Sequence, residues 1–357
     1  MVLSSDAIGF LKRLLDAPGP SGFETLAGRC WRSEAEKFSD RVVVDVAGNS
    51  IAEINPGGSP TILIDGHIDE IGVIVQYVDD DGFIYISPIG GWDAQVLVGQ
   101  RIRFLAAAGD VIGVVGRKPI HLIEEDDRKK AAKFTDLWVD IGARNRAEVE
   151  ARVSLGDPGV IDSSAHDFPG NRIVSRAIDD RIGAFAALEA LRRYAAEPGT
   201  ARVVAAATTQ EEIAWTGGGA LVAANAIRPR MAIVVDVTHA TDSPTMEKKE
   251  IGDHRLGGGP VLGRGALLSP VVFELLRSAA RAKSIPFGVL AVGRDTSTNA
   301  DAIHIAQEGV ATALVSIPNR YMHSPNEMVS LDDVDYTAEL IAEVCRKVDA
   351  KTDFTAR

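Results

Sequence analysis

Cysteine is nearly missing from this chain: Cys30 and Cys345 are the only two in 357 residues. Far apart as they are, they exclude a disulfide framework and a Cys-rich zinc site, and they fit a reducing compartment. Long apolar runs are missing too. The stretch Met1–Leu15 interrupts its apolar positions with Asp6, Lys12 and Arg13, unlike a signal peptide, and no segment is long enough to span a membrane. The expected location is therefore the cytoplasm. Positive charge is in deficit, with 38 Lys and Arg against 50 Asp and Glu and a formal net charge of -12. That balance argues against non-specific nucleic-acid binding, which needs clustered cations. Internal repeats, low-complexity segments and a His-Glu-x-x-His helix are all lacking, and the last absence disfavours a single-zinc protease of that type.

What is present is ordinary globular material, 46% hydrophobic and 25% charged, in a chain long enough for a large core and two domains. Ile8, Leu11, Leu14 and Leu15 recur at helical spacing behind Ser4 and Ser5, and Pro18–Gly22 stops that helix. Residues 26–38 read as a second helix, and 42–46 and 50–54 as strands joined through Gly48-Asn49. From Gly72 to about Val160 the texture becomes short strands and turns. Hairpin signals lie at Asp79–Gly82 and Ala108–Asp110, a charged run at 124–133 reads as a solvated loop, and 137–141 and 152–155 read as further strands. After Asp162 helices and apolar strands alternate again: a helix capped by Asp180 and reaching Tyr194, another over 271–282, and a third over 330–347. The last opens Ser330-Leu331-Asp332-Asp333 like a capping box with Asp in the Glu position. The pattern predicts an α/β domain, residues 1–69 and 163–357, with a mixed sheet between helical layers, interrupted by an all-β module over residues 70–162.

Five side chains of metal-ligand type, His67, Asp179, Glu212, Asp236 and His323, come at or soon after strand-like runs. Open α/β sheets bind ligands outside the carboxyl ends of their strands, so several such endings suggest one rim with one metal site. Each piece alone has a plainer reading. His67 and Asp69 fit a loop with no metal, Asp179-Asp180 fits a helix cap, and Glu211-Glu212 fits a solvated turn. Asp69 is placed to orient His67. One of Glu211 and Glu212 would ligate while the other faces a bound water as general base. Together, two histidines and three acids, one of them bridging, make the composition of a two-metal hydrolase. Nitrogen and oxygen ligands of this kind suit zinc, cobalt or manganese.

The same segments resemble the tetrahedral aminopeptidases, dinuclear metallopeptidases that include glutamyl aminopeptidases. The resemblance rests on Pro20–Glu24, Gly66–Gly72, Gly90–Asp93 with Gly99–Arg101, Asp140–Ala143, Ala177–Arg181, Gln210–Glu212, Asp236–His239 and Arg320–Pro325. It implies that two divalent ions are held, one by His67 and Asp236 and one by Glu212 and His323, with Asp179 bridging. Glu211 would be the base, Asp69 the orienting group, and the Asp179–Asp180 peptide bond cis. It also implies short peptide substrates, a dimerisation role for the β module, and dimers assembling into a hollow dodecamer. Two positions depart from the family pattern: Trp215, where a glycine and then an arginine are usual after the acids, and Asn299, where Asp is usual. Competing readings are a related dinuclear deacylase or carboxypeptidase, an endoglucanase-like glycoside hydrolase acting through paired carboxylates, and an assembly that has lost turnover. The charged loop 239–260 is expected to help line the pocket.

Overall fold

The computed structural model describes residues 3–125, 129–214 and 217–356. Helix α1 (Ser5–Asp16) starts where the Ser4 side chain accepts the Ala7 N–H at 3.1 Å, and α2 (Thr25–Ala35) follows the Pro-Gly break. The first strands, β1 (Arg41–Val44), β2 (Ser50–Ile54) and β3 (Thr61–His67), lead to the interruption. There β4 (Gly72–Val78), β5 (Ile84–Ile89), β6 (Arg101–Ala106), β7 (Gly109–Arg117), β8 (Leu137–Asp140), the short helix α3 (Arg146–Glu150) and β9 (Pro158–Ile161) form a separate module. Its strands close a barrel in the order β4-β5-β8-β7-β6-β9 around Val73, Ile86, Ile102, Phe104, Leu137 and Val139.

The α/β domain then resumes with β10 (His166–Phe168), β11 (Arg172–Ser175), α4 (Ile178–Ala196), β12 (Arg202–Thr208), α5 (Gly218–Ile227) and β13 (Met231–His239). It is completed by α6 (Lys248–Ile251), β14 (Val261–Gly265), α7 (Pro270–Ala282), β15 (Gly288–Val292), α8 (Ala300–Ile303), β16 (Ala311–Asn319), β17 (Glu327–Ser330) and α9 (Leu331–Lys347). Eight strands form one mixed sheet, β1-β2-β12-β3-β13-β16-β14-β15, with the central four parallel.

Those central strands are apolar throughout because both faces are covered. Alternate residues go to opposite layers: Ile62, Ile64, Val203, Ala205, Ile233 and Val235 join the core that contains α4. Leu63, Val204, Ala206, Ala232 and Val234 pack instead in the core that contains α5. At Gly66 the sheet meets α4 backbone to backbone. A Cβ there would lie 2.5 Å from Gly183 C and Ala184 N, so this close approach fixes the end of β3 against the start of α4.

Two local expectations need correction. Residues 152–155 are not a strand; they form the turn after α3, and the barrel closes instead with β9, whose Gly159 pairs with both Val73 and Phe104. Ser330 does cap α9, accepting the Asp332 N–H at 3.3 Å, but Asp333 does not complete a capping box. Its buried carboxylate accepts the N–H groups of Gly257 and Gly259 at 2.8 and 2.7 Å. Of the charged run 124–133, residues 126–128 lie outside the described residues; of the others only Ala132 is buried. No helix among the described residues is long and apolar enough to cross a membrane.

Candidate metal centre

The parallel strands deliver the predicted side chains to one rim. His67 ends β3, Glu211 and Glu212 follow β12, Asp236 lies near the end of β13, and His323 follows β16. Asp179 and Asp180 enter from the start of α4, and the peptide bond between them is cis, as the resemblance implied. Asp180 also caps the helix, accepting the Gly183 N–H at 3.0 Å, and it accepts the His67 N–H at 3.2 Å.

Asp179 stands between the two imidazoles. One carboxylate oxygen is 3.2 Å from His67 Nε2 and the other is 3.3 Å from His323 Nε2, which is also 3.3 Å from Glu212 Oε1. Potential ligand atoms of His67, Asp179 and Glu212 lie within 4.8 Å of one another, as do those of His67, Asp180 and Asp236. Glu211 flanks this group, its Oε2 at 3.7 Å from His67 Nε2. Asp69 locks the corner: its carbonyl and Oδ1 are 3.2 and 3.3 Å from His67 Nδ1, and its carboxylate accepts Ser21 Oγ and the backbone N–H groups of Glu211 and Glu212.

The electrostatics ask for cations. Burial pushes Asp180 and Asp236 well above the ordinary carboxylate range, with Asp236 adding to the shift of Asp180 and Asp179 to that of Asp236. Burial likewise takes Glu211 up to about 8. Burial opposes charge on the imidazoles, yet the carboxylates around them overcome it, raising His67 and taking His323 up to about 11. Asp179 and Asp69 are held below the usual range despite their burial, Asp179 by hydrogen bonds to His323 and His67 and Asp69 by the His67 imidazole and the Ser21 hydroxyl. Nearly every group shifts toward taking up a proton, so the cluster is a sink for positive charge.

Ring tautomers sharpen this fit. His67 Nδ1 faces Asp69, and His323 Nδ1 is 2.8 Å from the Gly91 carbonyl, which comes from the barrel module. Both acceptors favour the proton on Nδ1. Each Nε2 lone pair then points at carboxylate oxygens, an arrangement that a cation between them resolves. The donor set therefore fits divalent metal ions.

Beneath the rim lie groups the sequence did not single out. Glu327, buried at the start of β17, accepts the Asp179 N–H at 3.0 Å and the His323 N–H at 2.9 Å. Glu70 is buried between Arg176 and Arg181 and accepts the Gly19 N–H at 3.0 Å, while Arg181 donates to the Ile68 carbonyl at 3.1 Å. Ala177, Gln210, Tyr321 and His323 all have φ near +60°. Such backbone costs about 1–3 kcal/mol per residue and persists where the surroundings over-determine it.

Asn299, the departure noted in sequence, is buried and donates to Asp65 Oδ2 at 2.8 Å and Thr208 Oγ1 at 2.9 Å. An Asp in its place would set two buried carboxylates against each other. Trp215 lies outside the described residues. The loop 239–260 reaches the cleft beside the cluster through His239, while its charged side chains from Glu247 to Arg255 are not among the lining residues. Those charges pair locally: Asp242 with Arg320 at 2.7 Å, and Asp253 with Lys248 and Arg255 at 2.9 and 3.2 Å.

Comparison with known proteins identifies the family and the fold. The family model described as M42 glutamyl aminopeptidase matches residues 48–340. The lysyl aminopeptidase of Pyrococcus furiosus is 35% identical over 348 residues, covering 97% of this chain and 98% of that protein. The structure of a TET aminopeptidase from a marine-sediment thaumarchaeon superimposes with a TM-score of 0.91 at 32% identity, covering 96% of this chain and 97% of the other. The TET1 peptidase of Pyrococcus horikoshii, described as able to assemble into a tetrahedron or a large octahedral shell, gives a TM-score of 0.83 at 30% identity. That match covers 96% of this chain and all of the other. Matched by the family model over residues 48–340 and 35% identical to a curated aminopeptidase along nearly its whole length, the chain belongs to the M42 glutamyl aminopeptidase family.

Proposed function

We propose that this chain is a two-metal aminopeptidase that removes N-terminal residues from short peptides. In this reading His67 and Asp236 hold one ion, Glu212 and His323 hold the other, and Asp179 bridges. The observation that carries it is Asp179, with one carboxylate oxygen against each imidazole while Asp69 and the Gly91 carbonyl occupy the far side of each ring. Bound there, zinc, cobalt or manganese supplies Lewis acidity and lowers the pKa of a bound water toward neutrality.

The protein's own groups then divide the work. Glu211 takes a proton from the attacking water and later gives it to the leaving amine. Its backbone N–H is fixed on Asp69, so base and histidine keep one spacing. The carboxylates at the rim attract the positively charged amino terminus of a peptide, which places the first peptide bond beside Glu211. Asp69 keeps His67 in the tautomer that leaves Nε2 free.

The test is release of the first residue from a peptide panel by metal-stripped protein, before and after zinc, cobalt or manganese is added back. Metal-restored release of N-terminal residues supports the reading. Stoichiometric metal uptake with no peptide turnover sinks it and moves the assignment to a deacylase or an inactive assembly. A chelator-indifferent glycosidase activity would point to the paired acids alone, leaving both histidines without a task. We also propose that the barrel module mediates dimerisation, that dimers build a dodecamer like those of TET peptidases, and that the enzyme works in the cytoplasm. Light scattering of the purified protein distinguishes a dodecamer from a simple dimer.

A further inference from the structure

Resting on the aminopeptidase reading, we infer that this chain selects N-terminal residues with uncharged, medium-sized side chains and discriminates against both basic and acidic ones. The cleft beside the metal-type cluster measures about 330 Å³. One wall is the cluster itself, with Glu211 and Glu212. The other is made by Val237 and Thr238 at the end of β13, the segment Thr296–Thr298 ahead of α8, and Met322. None of these facing side chains carries a charge. Val237 and Thr238 are buried, and Thr296, Thr298 and Met322 are half-buried.

The hydroxyls on this wall are already engaged. Thr296 and Thr298 Oγ1 lie 2.8 Å apart, Thr296 Oγ1 donates to Asp301 at 2.6 Å, and Thr298 Oγ1 accepts the Ala300 N–H at 3.2 Å. Asp301, the acid behind this segment, is also committed: it accepts the N–H groups of Thr296 and Ser297 at 2.8 and 2.9 Å. In the loaded enzyme Asp179, Glu212 and Asp236 of the opposite wall would be committed to cations and Glu211 to the attacking water. In the loop 240–260, Asp242 pairs with Arg320, Lys248 and Arg255 with Asp253, and Lys249 with Glu247, and the one titratable side chain that this segment places on the cleft lining is His239, exposed at the rim.

A charged side chain entering the cleft would therefore surrender hydration without gaining a partner, which is unfavourable for either sign. An aliphatic, thioether or hydroxyl side chain meets methyl, methylene and thioether surface of matching polarity. Since the amino group and the scissile bond share the same cleft, residues from threonine to leucine and methionine in size fit best.

The experiment measures kcat/KM for peptides X-Ala-Ala, with X as Leu, Met, Thr, Lys, Arg, Glu or Asp, on the full-length metal-loaded protein and on Ser297→Asp. Ser297 is exposed at the cleft with φ of 55°, a backbone region that Asp tolerates well, so the added carboxylate tests the pocket without rebuilding it. The best neutral residue should exceed Lys, Arg, Glu and Asp by at least about tenfold, the scale of pocket discrimination. Ser297→Asp should raise the Lys-to-Leu ratio several-fold. A wild-type enzyme that releases Lys or Glu as well as its best neutral residue overturns the inference while leaving the aminopeptidase reading intact. An unchanged Lys-to-Leu ratio in Ser297→Asp overturns it as well, because selectivity then resides in another wall. Turnover of no peptide by folded, metal-loaded protein removes the underlying reading, and the inference with it.

Discussion

Glu327 is neither a proposed ligand nor a base, yet the geometry predicts that it governs how firmly one of the two ions is held. Its two oxygens accept the backbone N–H groups of Asp179 and His323, at 3.0 and 2.9 Å, and its side chain is buried. It thus ties the bridging acid to one ligand of the Glu212 and His323 pair. His323 also carries a φ of 58°, which a residue with a side chain adopts only when held. Glu327→Gln preserves shape but turns one acceptor into an NH₂ group, so one N–H is left facing a donor. A hydrogen bond contributes about 0.5–1.5 kcal/mol, and an orphaned buried donor costs about 1–3 kcal/mol. Outer groups of this kind typically change metal affinity by about 10–100-fold. Competitive metal titration, with bound metal counted by mass spectrometry, should show one tight ion retained and the second weakened by that factor. Thermal melts of the metal-free variant report the folding cost separately. Glu327→Ala, which removes both acceptors, should weaken the second ion further. Two ions bound as tightly in Glu327→Gln as in the wild type would refute the reasoning, whatever happened to activity.

Three further outcomes follow from the same structure. Glu211→Gln should retain both ions and the melting temperature while kcat falls by about 10²–10⁴-fold, the usual contribution of a positioned base; loss of metal in parallel with activity would make Glu211 a ligand instead. Stripping the ions should abolish peptide release and lower the melting temperature, because ligand at about 1,000 times its Kd stabilises a fold by about 4 kcal/mol; an unchanged melt would argue against a built metal site. Asp333 supplies a pH test remote from the cluster: burial raises its carboxyl from 3.8 to about 7, against the opposing pull of the Gly257 and Gly259 N–H groups. The native state therefore holds this proton more tightly than the unfolded chain, so the group's stabilising contribution is full below about pH 4 and is lost as pH rises toward 7. Asp333→Asn should accordingly lie furthest below the wild type at pH 5 and close the gap by pH 8; a gap independent of pH would mean that the carboxyl titrates normally.

The strands and the proposed ligands were legible in the sequence for one shared reason. A strand buried on both faces must be apolar along its length, so Met231–Val235 or Thr61–Ile64 stands out, and several carboxylates and imidazoles at or soon after such runs point to one site although each alone has a plainer reading. The barrel was legible through its turns, but residues 152–155 misled because an apolar residue beside an exposed one looks the same in a helix tail as in a short strand. The supporting groups were hidden for a different reason. Glu327 opens the short strand β17 straight after a polar turn, and its two partners are N–H groups, one of them 148 positions away and identical in every residue type but proline. Asn299 finds Asp65 at a separation of 234 positions, and the Gly91 carbonyl that orients His323 belongs to the other module. A side chain that binds a metal announces itself by its own chemistry. One that positions another is defined only by which backbone group the fold brings to it, so the specificity and strength of this site reside where the sequence carries no local mark.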